Sequence, residues 1–118
     1  MELTPGKTYH CELTASIPLV GSYAIVADVT VDSPTSFHGE GSLKEGSIKL
    51  GAFEIDDTFM MPFENGVIDG NNLSFVVKNG RSKAYFEATI EDDATISGTI
   101  KAGLLLNARI SGTIEATN

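Results

Sequence analysis

The sequence predicts an all-β protein, folded as an up-and-down antiparallel β-barrel of about eight strands. Apolar and polar residues alternate with period two along most of the chain, which contains 12 glycines and many β-branched residues. Turn signals recur roughly every 8 to 12 residues, and apolar residues at helical spacing are rare. We expect a single β-barrel domain over residues 1–118, because this length suits one hydrophobic core.

The first half of the chain is predicted to form four strands. In the first strand Tyr9, Cys11 and Leu13 share one face, and His10 and Glu12 lie on the other. Three further strands are predicted over residues 23–31, 37–43 and 47–55. The apolar phase of each strand is expected to face the core.

The second half is predicted to form strands over residues 73–78, 83–91, 95–101 and 104–116, with residues 58–69 as a further hairpin arm. Turn signals separate the strands at residues 32–34, 44–46, 64–66, 69–72, 79–80 and 92–93. These short connections favour a meander, because a Greek key needs at least one long connection. Closing the meander into a barrel removes exposed strand edges.

The five residues ISGTI occur twice, at positions 96–100 and 110–114, with Gly98 and Gly112 on the core phase. Large apolar residues lie two positions away on either side of each glycine. One interpretation is that the glycines relieve crowding in a sharply coiled sheet. The other is that the missing side chains leave room for a small ligand inside the barrel.

Three segments resemble small bacterial lipocalin-like domains of the calycin class. They are NGVIDGNNLSF at residues 65–75, YFEATI at residues 85–90 and ISGTI at residues 96–100. The resemblance implies an up-and-down barrel with a cavity for a small hydrophobic molecule. It implies no roles for individual residues.

The leading hypothesis for function is therefore binding of a small apolar molecule inside the barrel. The candidate ligand-binding residues are Tyr9, Tyr23, Phe37, Phe53, Phe75, Phe86, Gly98 and Gly112. The hydroxyls of Tyr9 and Tyr23 are expected to orient the ligand if they reach the cavity. The alternatives are a cyclase or isomerase that shapes its substrate in the cavity, and a structural or oligomerisation module with no ligand.

The sequence predicts no catalytic residues, metal ligands or cofactor. The pairs His10 with Glu12 and His38 with Glu40 have spacing suitable for half of a metal or acid–base site, but both fall on the polar phase. Cys11 lies on the apolar phase, where a thiol behaves as a small hydrophobe. Solvated surface pairs and a buried, inert thiol are the expected outcome.

The net charge of −8 argues against nucleic acid and anionic membranes as partners. With one cysteine, no signal-peptide pattern and no long apolar run, the protein is expected to be cytoplasmic. Apolar residues in predicted loop regions need to be covered by the barrel mouth, a ligand or another subunit. Candidates for homo-oligomer contacts are Ile17, Leu19, Met60 and Leu105.

Overall fold

The computed structural model describes residues 2–50, 53–79, 82–103 and 106–117. Ten strands are formed: β1 (Thr8–Ile17), β2 (Gly21–Ser33), β3 (Ser36–Leu43), β4 (Ser47–Leu50), β5 (Phe53–Asp56), β6 (Met61–Asp69), β7 (Asn72–Asn79), β8 (Ser82–Ile90), β9 (Thr95–Ala102) and β10 (Leu106–Ala116). These described ranges contain no helix, and so none that could cross a membrane.

Eight strands close into an antiparallel barrel in the order β1-β10-β9-β8-β7-β6-β3-β2. Strands that follow each other in the chain are neighbours in the barrel, and β10 closes the ring against β1. Strands β4 and β5 form a separate hairpin between β3 and β6. The predicted all-β, up-and-down barrel is confirmed.

Side chains alternate between the barrel interior and the solvent. On β1, Cys11 and Leu13 are buried, whereas Glu12 and Thr14 are exposed. Isoleucines from β8, β9 and β10 fill the interior next to β1; they are Ile90, Ile96, Ile100, Ile110 and Ile114. Burial of these apolar side chains is the main force that stabilises the barrel.

Gly98 and Gly112 lie where neighbouring strands approach each other closely. A Cβ built on Gly98 would overlap the carbonyl oxygen of Glu87, and one built on Gly112 would overlap that of Glu12. Gly98 is paired with Ala88 of β8, and Gly112 with Leu13 of β1. The bare Cα atoms therefore permit tight strand contact, as the crowding interpretation predicts, and the space beside them is filled by backbone.

Two local features differ from the sequence prediction. The segment 47–55 is predicted as one strand, but its described residues 47–50 and 53–55 belong to two antiparallel strands, β4 and β5. The predicted turn at residues 64–66 is an irregularity within β6, where Phe37 pairs with Gly66 but Gly39 pairs with Phe63. Asn65 has a positive φ of 58°, which asparagine tolerates in a bulge as well as in a turn.

Replacing Gly98 with Ala tests the close strand contact. Because the new methyl group would overlap backbone that cannot rotate away, we expect Gly98→Ala to lower the free energy of unfolding by about 3 kcal/mol or more. Gly41→Ala is the matched control, since its Cβ would lie 3.2 Å from the nearest atom. We expect that control to cost about 1 kcal/mol or less in urea unfolding. Equal costs for the two variants would contradict this interpretation.

Candidate functional site

The barrel wall has a seam between β6 and β7. The two strands pair only where Val67–Asp69 of β6 lie opposite Asn72–Ser74 of β7. Within the described residues, Met61 and Phe63 pair with β3 alone, and Phe75 and Val77 pair with β8 alone. The seam begins beside the bulge at Asn65, and a bulge bends its strand away from the regular ladder.

Four phenylalanines bridge the seam from the inside. Phe63 of β6 stacks on Phe75 of β7 with ring centroids 4.1 Å apart, and Phe75 stacks on Phe86 of β8 at 4.5 Å. Phe37 of β3 contacts Phe63 and Phe75 edge-on. Phe75 and Phe86 are only half-buried, so part of this aromatic cluster is exposed to solvent.

An apolar cavity of about 40 Å³ lies beside the aromatic cluster. Its lining consists of Leu13, Ile25, Ala27, Gly41, Ile55, Met61, Phe63, Phe75, Val77 and Phe86. A water molecule occupies roughly 30 Å³ in the liquid, whereas pockets for drug-sized ligands measure about 300–1,000 Å³. The cavity is therefore an apolar space of about the size of one water molecule in this conformation.

The β4–β5 hairpin covers the cavity at one end of the barrel. Ile55 of β5 lines the cavity, Ile48 of β4 is buried, and β5 contacts both β3 and β8. The base of the hairpin is tied by Asp57, whose carboxylate accepts a hydrogen bond from the Gly46 amide at 2.9 Å. The hairpin is thus a lid attached through two short loops and held by a few apolar contacts.

The structure places two of the candidate ligand-binding side chains, Phe75 and Phe86, at the cavity. Phe37 lies in the adjoining aromatic cluster, and Tyr23 is half-buried against the core. Tyr9 is 2% exposed, and its hydroxyl accepts a hydrogen bond from the Thr4 amide at the opposite end of the barrel.

Gly98 and Gly112 lie at strand contacts, as described above, and the side chain of Phe53 lies outside the described part of the chain. Ile55, Met61 and Phe63 line the cavity but were not among the sequence candidates. The signal that could have identified Met61 and Phe63 is their period-two spacing in the apolar segment 59–63.

Of the candidate contact residues, Ile17 is buried in the barrel and Met60 is half-buried. Leu19 is fully exposed at the β1–β2 turn. Leu105 lies outside the described residues. Oligomerisation through these residues stays a prediction.

Both histidines lie on the outer wall, away from the cavity. His10 Nδ1 lies 2.9 Å from Asp28 Oδ1, and His10 Nε2 lies 3.1 Å from Glu12 Oε1. These hydrogen bonds, that to Asp28 first, raise the pKa of His10 above its ordinary value of 6.5. His38 Nδ1 contacts the Asp32 carboxylate at 2.9 Å. The described residues include no group of three or more His, Cys, Asp or Glu side chains placed to hold a metal.

Cys11 is buried, and burial raises the pKa of its thiol to about 12. A thiol with this pKa is protonated at neutral pH and is a poor nucleophile. Cys11 lies between Tyr9 and Leu13 on the buried face of β1, and its side chain packs in the hydrophobic core.

No protein-family model and no curated protein sequence matches this chain. A solved structure from the de novo design of transmembrane beta-barrels matches with a TM-score of 0.56 and 11% sequence identity, covering 99% of this chain and 100% of the other. A protein from Burkholderia vietnamiensis, provisionally described as a beta-lactamase, matches with a TM-score of 0.48 and 13% identity, over 99% of both chains. The first likeness shows the fold alone.

The contacts of His10 predict a pH-dependent contribution to stability. Since the folded-state pKa is raised, the contribution is complete below the ordinary pKa of 6.5 and is lost as pH rises through the folded-state pKa. His10→Gln should therefore destabilise the protein more at pH 5.5 than at pH 9, by no more than about 1 kcal/mol for such an exposed network. Urea unfolding at both pH values measures the difference. A larger effect at pH 9 would contradict the assignment.

Proposed function

We propose that the protein binds a small, neutral, apolar molecule in the cavity beneath the β4–β5 hairpin. The observation that supports this most is the composition of the lining, in which all ten residues are apolar. A charged or strongly polar ligand would lose its hydration there without gaining hydrogen bonds from these side chains.

The size of the cavity implies that the hairpin moves when a ligand binds. A cavity of about 40 Å³ is too small for benzene, which binds in a cavity of about 150 Å³. Outward displacement of Ile55 would join the cavity to the space now occupied by the hairpin. The half-buried rings of Phe75 and Phe86 would then be covered by the ligand instead of the lid.

A relationship to lipocalin-like calycins is part of this proposal. The closed eight-stranded meander is compatible with that class, and its barrels hold one small ligand. The cavity lies toward one open end and not at the repeated ISGTI glycines, so the ligand is expected near β6, β7 and β8.

Fluorescence of the neutral apolar dye N-phenyl-1-naphthylamine tests the proposal. We expect saturable enhancement with the unaltered protein and its loss in Ala27→Leu, because the larger side chain fills the cavity that Ala27 lines. Ala24→Leu is the matched control: it makes the same change on the exposed face of the same strand.

The opposite change should strengthen dye binding. Phe86→Ala removes a ring from the cavity wall, so we expect it to raise the amount or affinity of bound dye at a cost in stability of about 3–5 kcal/mol or less, given partial exposure. Thermal unfolding of each variant confirms that it is folded at the assay temperature. Dye binding that is equal in Ala27→Leu and Ala24→Leu, or is absent throughout, would contradict a ligand site at this cavity.

A further inference from the structure

The end of the barrel that bears the lid also carries a basic rim. We use this name for Lys78 of β7, Lys83 of β8, Lys101 of β9 and Arg109 of β10, all of which are exposed. Lys78 and Lys83 are directly opposite each other in the ladder, an arrangement that destabilises a sheet. Within the described part of the chain, none of the four forms an ion pair with a carboxylate.

The opposite end of the barrel is acidic. Its turns and terminal strand residues include Asp69, Glu91, Asp92, Asp93 and Glu115. At the lid end, Glu45, Glu54, Asp56 and Asp57 lie in the hairpin segment between β3 and β6, whose strand β5 contacts β8, the strand that bears Lys83. Lys44 and Lys49 lie in the same segment, so together with the rim six cations at this end outnumber these four carboxylates. The charge of −8 is therefore distributed unevenly, and the rim is locally basic.

Beside the rim, the β1–β2 turn presents apolar side chains to water. Leu19 is fully exposed, at 109% of the reference area, and Val20 is 49% exposed. Leu19 also has a positive φ of 66°, a conformation that is unfavourable for leucine. The fold gains no burial from this side chain, and its backbone conformation costs stability without a compensating contact.

A cleft between the turn and β10 contains groups that can donate hydrogen bonds to a phosphate. Ser16, Ser22, Asn107 and Arg109 line it together with the residues of the turn. Hydroxyl, amide and guanidinium groups donate hydrogen bonds to phosphate oxygens, and guanidinium does so with two parallel bonds. Hydrogen-bond donors suited to a phosphate therefore lie directly beside the exposed aliphatic side chains of Leu19 and Val20.

We propose that this end of the barrel docks on the surface of an anionic phospholipid bilayer. Leu19 and Val20 enter the boundary between headgroups and acyl chains, while the basic rim and the Arg109 cleft contact lipid phosphates. An aliphatic tip suits acyl chains, whereas single-stranded nucleic acid is bound through aromatic rings on which bases stack. This inference is independent of the proposed ligand.

The net charge of −8 only weakly opposes such docking, because much of it lies at the other end of the molecule. The screening length is about 8 Å at physiological ionic strength, whereas the molecule extends over 36 Å along its longest axis. Carboxylates at the far end are therefore screened from a bilayer that touches the rim. The local charge of the rim determines the interaction.

Tryptophan fluorescence provides a direct test, because the chain contains no tryptophan. Leu19→Trp places a single reporter at the proposed contact, and Asn71→Trp places one in an exposed turn at the opposite end. With vesicles of phosphatidylcholine containing 30% phosphatidylserine, we expect a blue shift for Leu19→Trp and none for Asn71→Trp. Pure phosphatidylcholine vesicles should give little shift with either variant.

Co-sedimentation with vesicles measures how further variants bind the bilayer, and their melting temperatures show whether they are folded. Leu19→Gly should reduce partitioning onto the anionic vesicles about tenfold while leaving the melting temperature unchanged or higher, because glycine accepts the positive φ. Each of Lys78→Gln, Lys83→Gln and Lys101→Gln should reduce partitioning about fivefold. Lys7→Gln, near the opposite end, is the matched control and should have no effect.

Several results would overturn the proposal. They are the same blue shift at both reporter positions, equal binding to neutral and anionic vesicles, or no binding to either. Sedimentation velocity gives a further outcome: a dimer that Leu19→Gly converts to monomer, without vesicle binding, would assign the tip to a second copy of the chain and exclude the bilayer.

Discussion

Close contact between neighbouring strands at Gly98 and Gly112 is the constraint on which the barrel depends. A Cβ at either position would overlap backbone of the adjacent strand, so the closure of β8, β9, β10 and β1 requires a bare Cα there. This part of the wall is packed mainly by isoleucine, alanine and leucine. The larger rings of Phe37, Phe63 and Phe75 lie on the other side of the barrel, where Gly39 makes a similar close contact with the backbone of Asp28.

The proposed ligand would enter on the side of the barrel that carries the β6–β7 seam. Beyond the bulge at Asn65, β6 and β7 no longer pair, and the rings of Phe63 and Phe75 stack across the gap. The β4–β5 hairpin covers the cavity with the side chains of Ile48 and Ile55. Its strands form a separate two-stranded sheet and do not pair with the barrel. Local opening draws on elements with few such contacts, so the hairpin is the element expected to move.

The sequence predicted the fold because alternation and turn chemistry are local signals. It could not distinguish the bulge at Asn65–Gly66 from a turn, since positive φ at asparagine serves both, and the register against Phe37 decides between them. Alternation also predicts which side of the sheet a side chain faces, but not its position along the barrel axis. Tyr9 and Phe86 both face inward, yet only Phe86 lines the cavity. Similarly, the net charge gives no indication that Lys78 and Lys83 face each other on one rim.

Amide hydrogen exchange followed by NMR, with and without N-phenyl-1-naphthylamine, tests the central claim that a tightly closed barrel carries a displaceable lid. The account predicts the slowest exchange in the β8–β9 and β10–β1 ladders and fast exchange in the described residues of β4 and β5. It also predicts that bound dye changes exchange in β5 and in Met61–Asp69 of β6 while leaving β10 unaffected. Uniform protection across hairpin and barrel, unchanged by the dye, would contradict it.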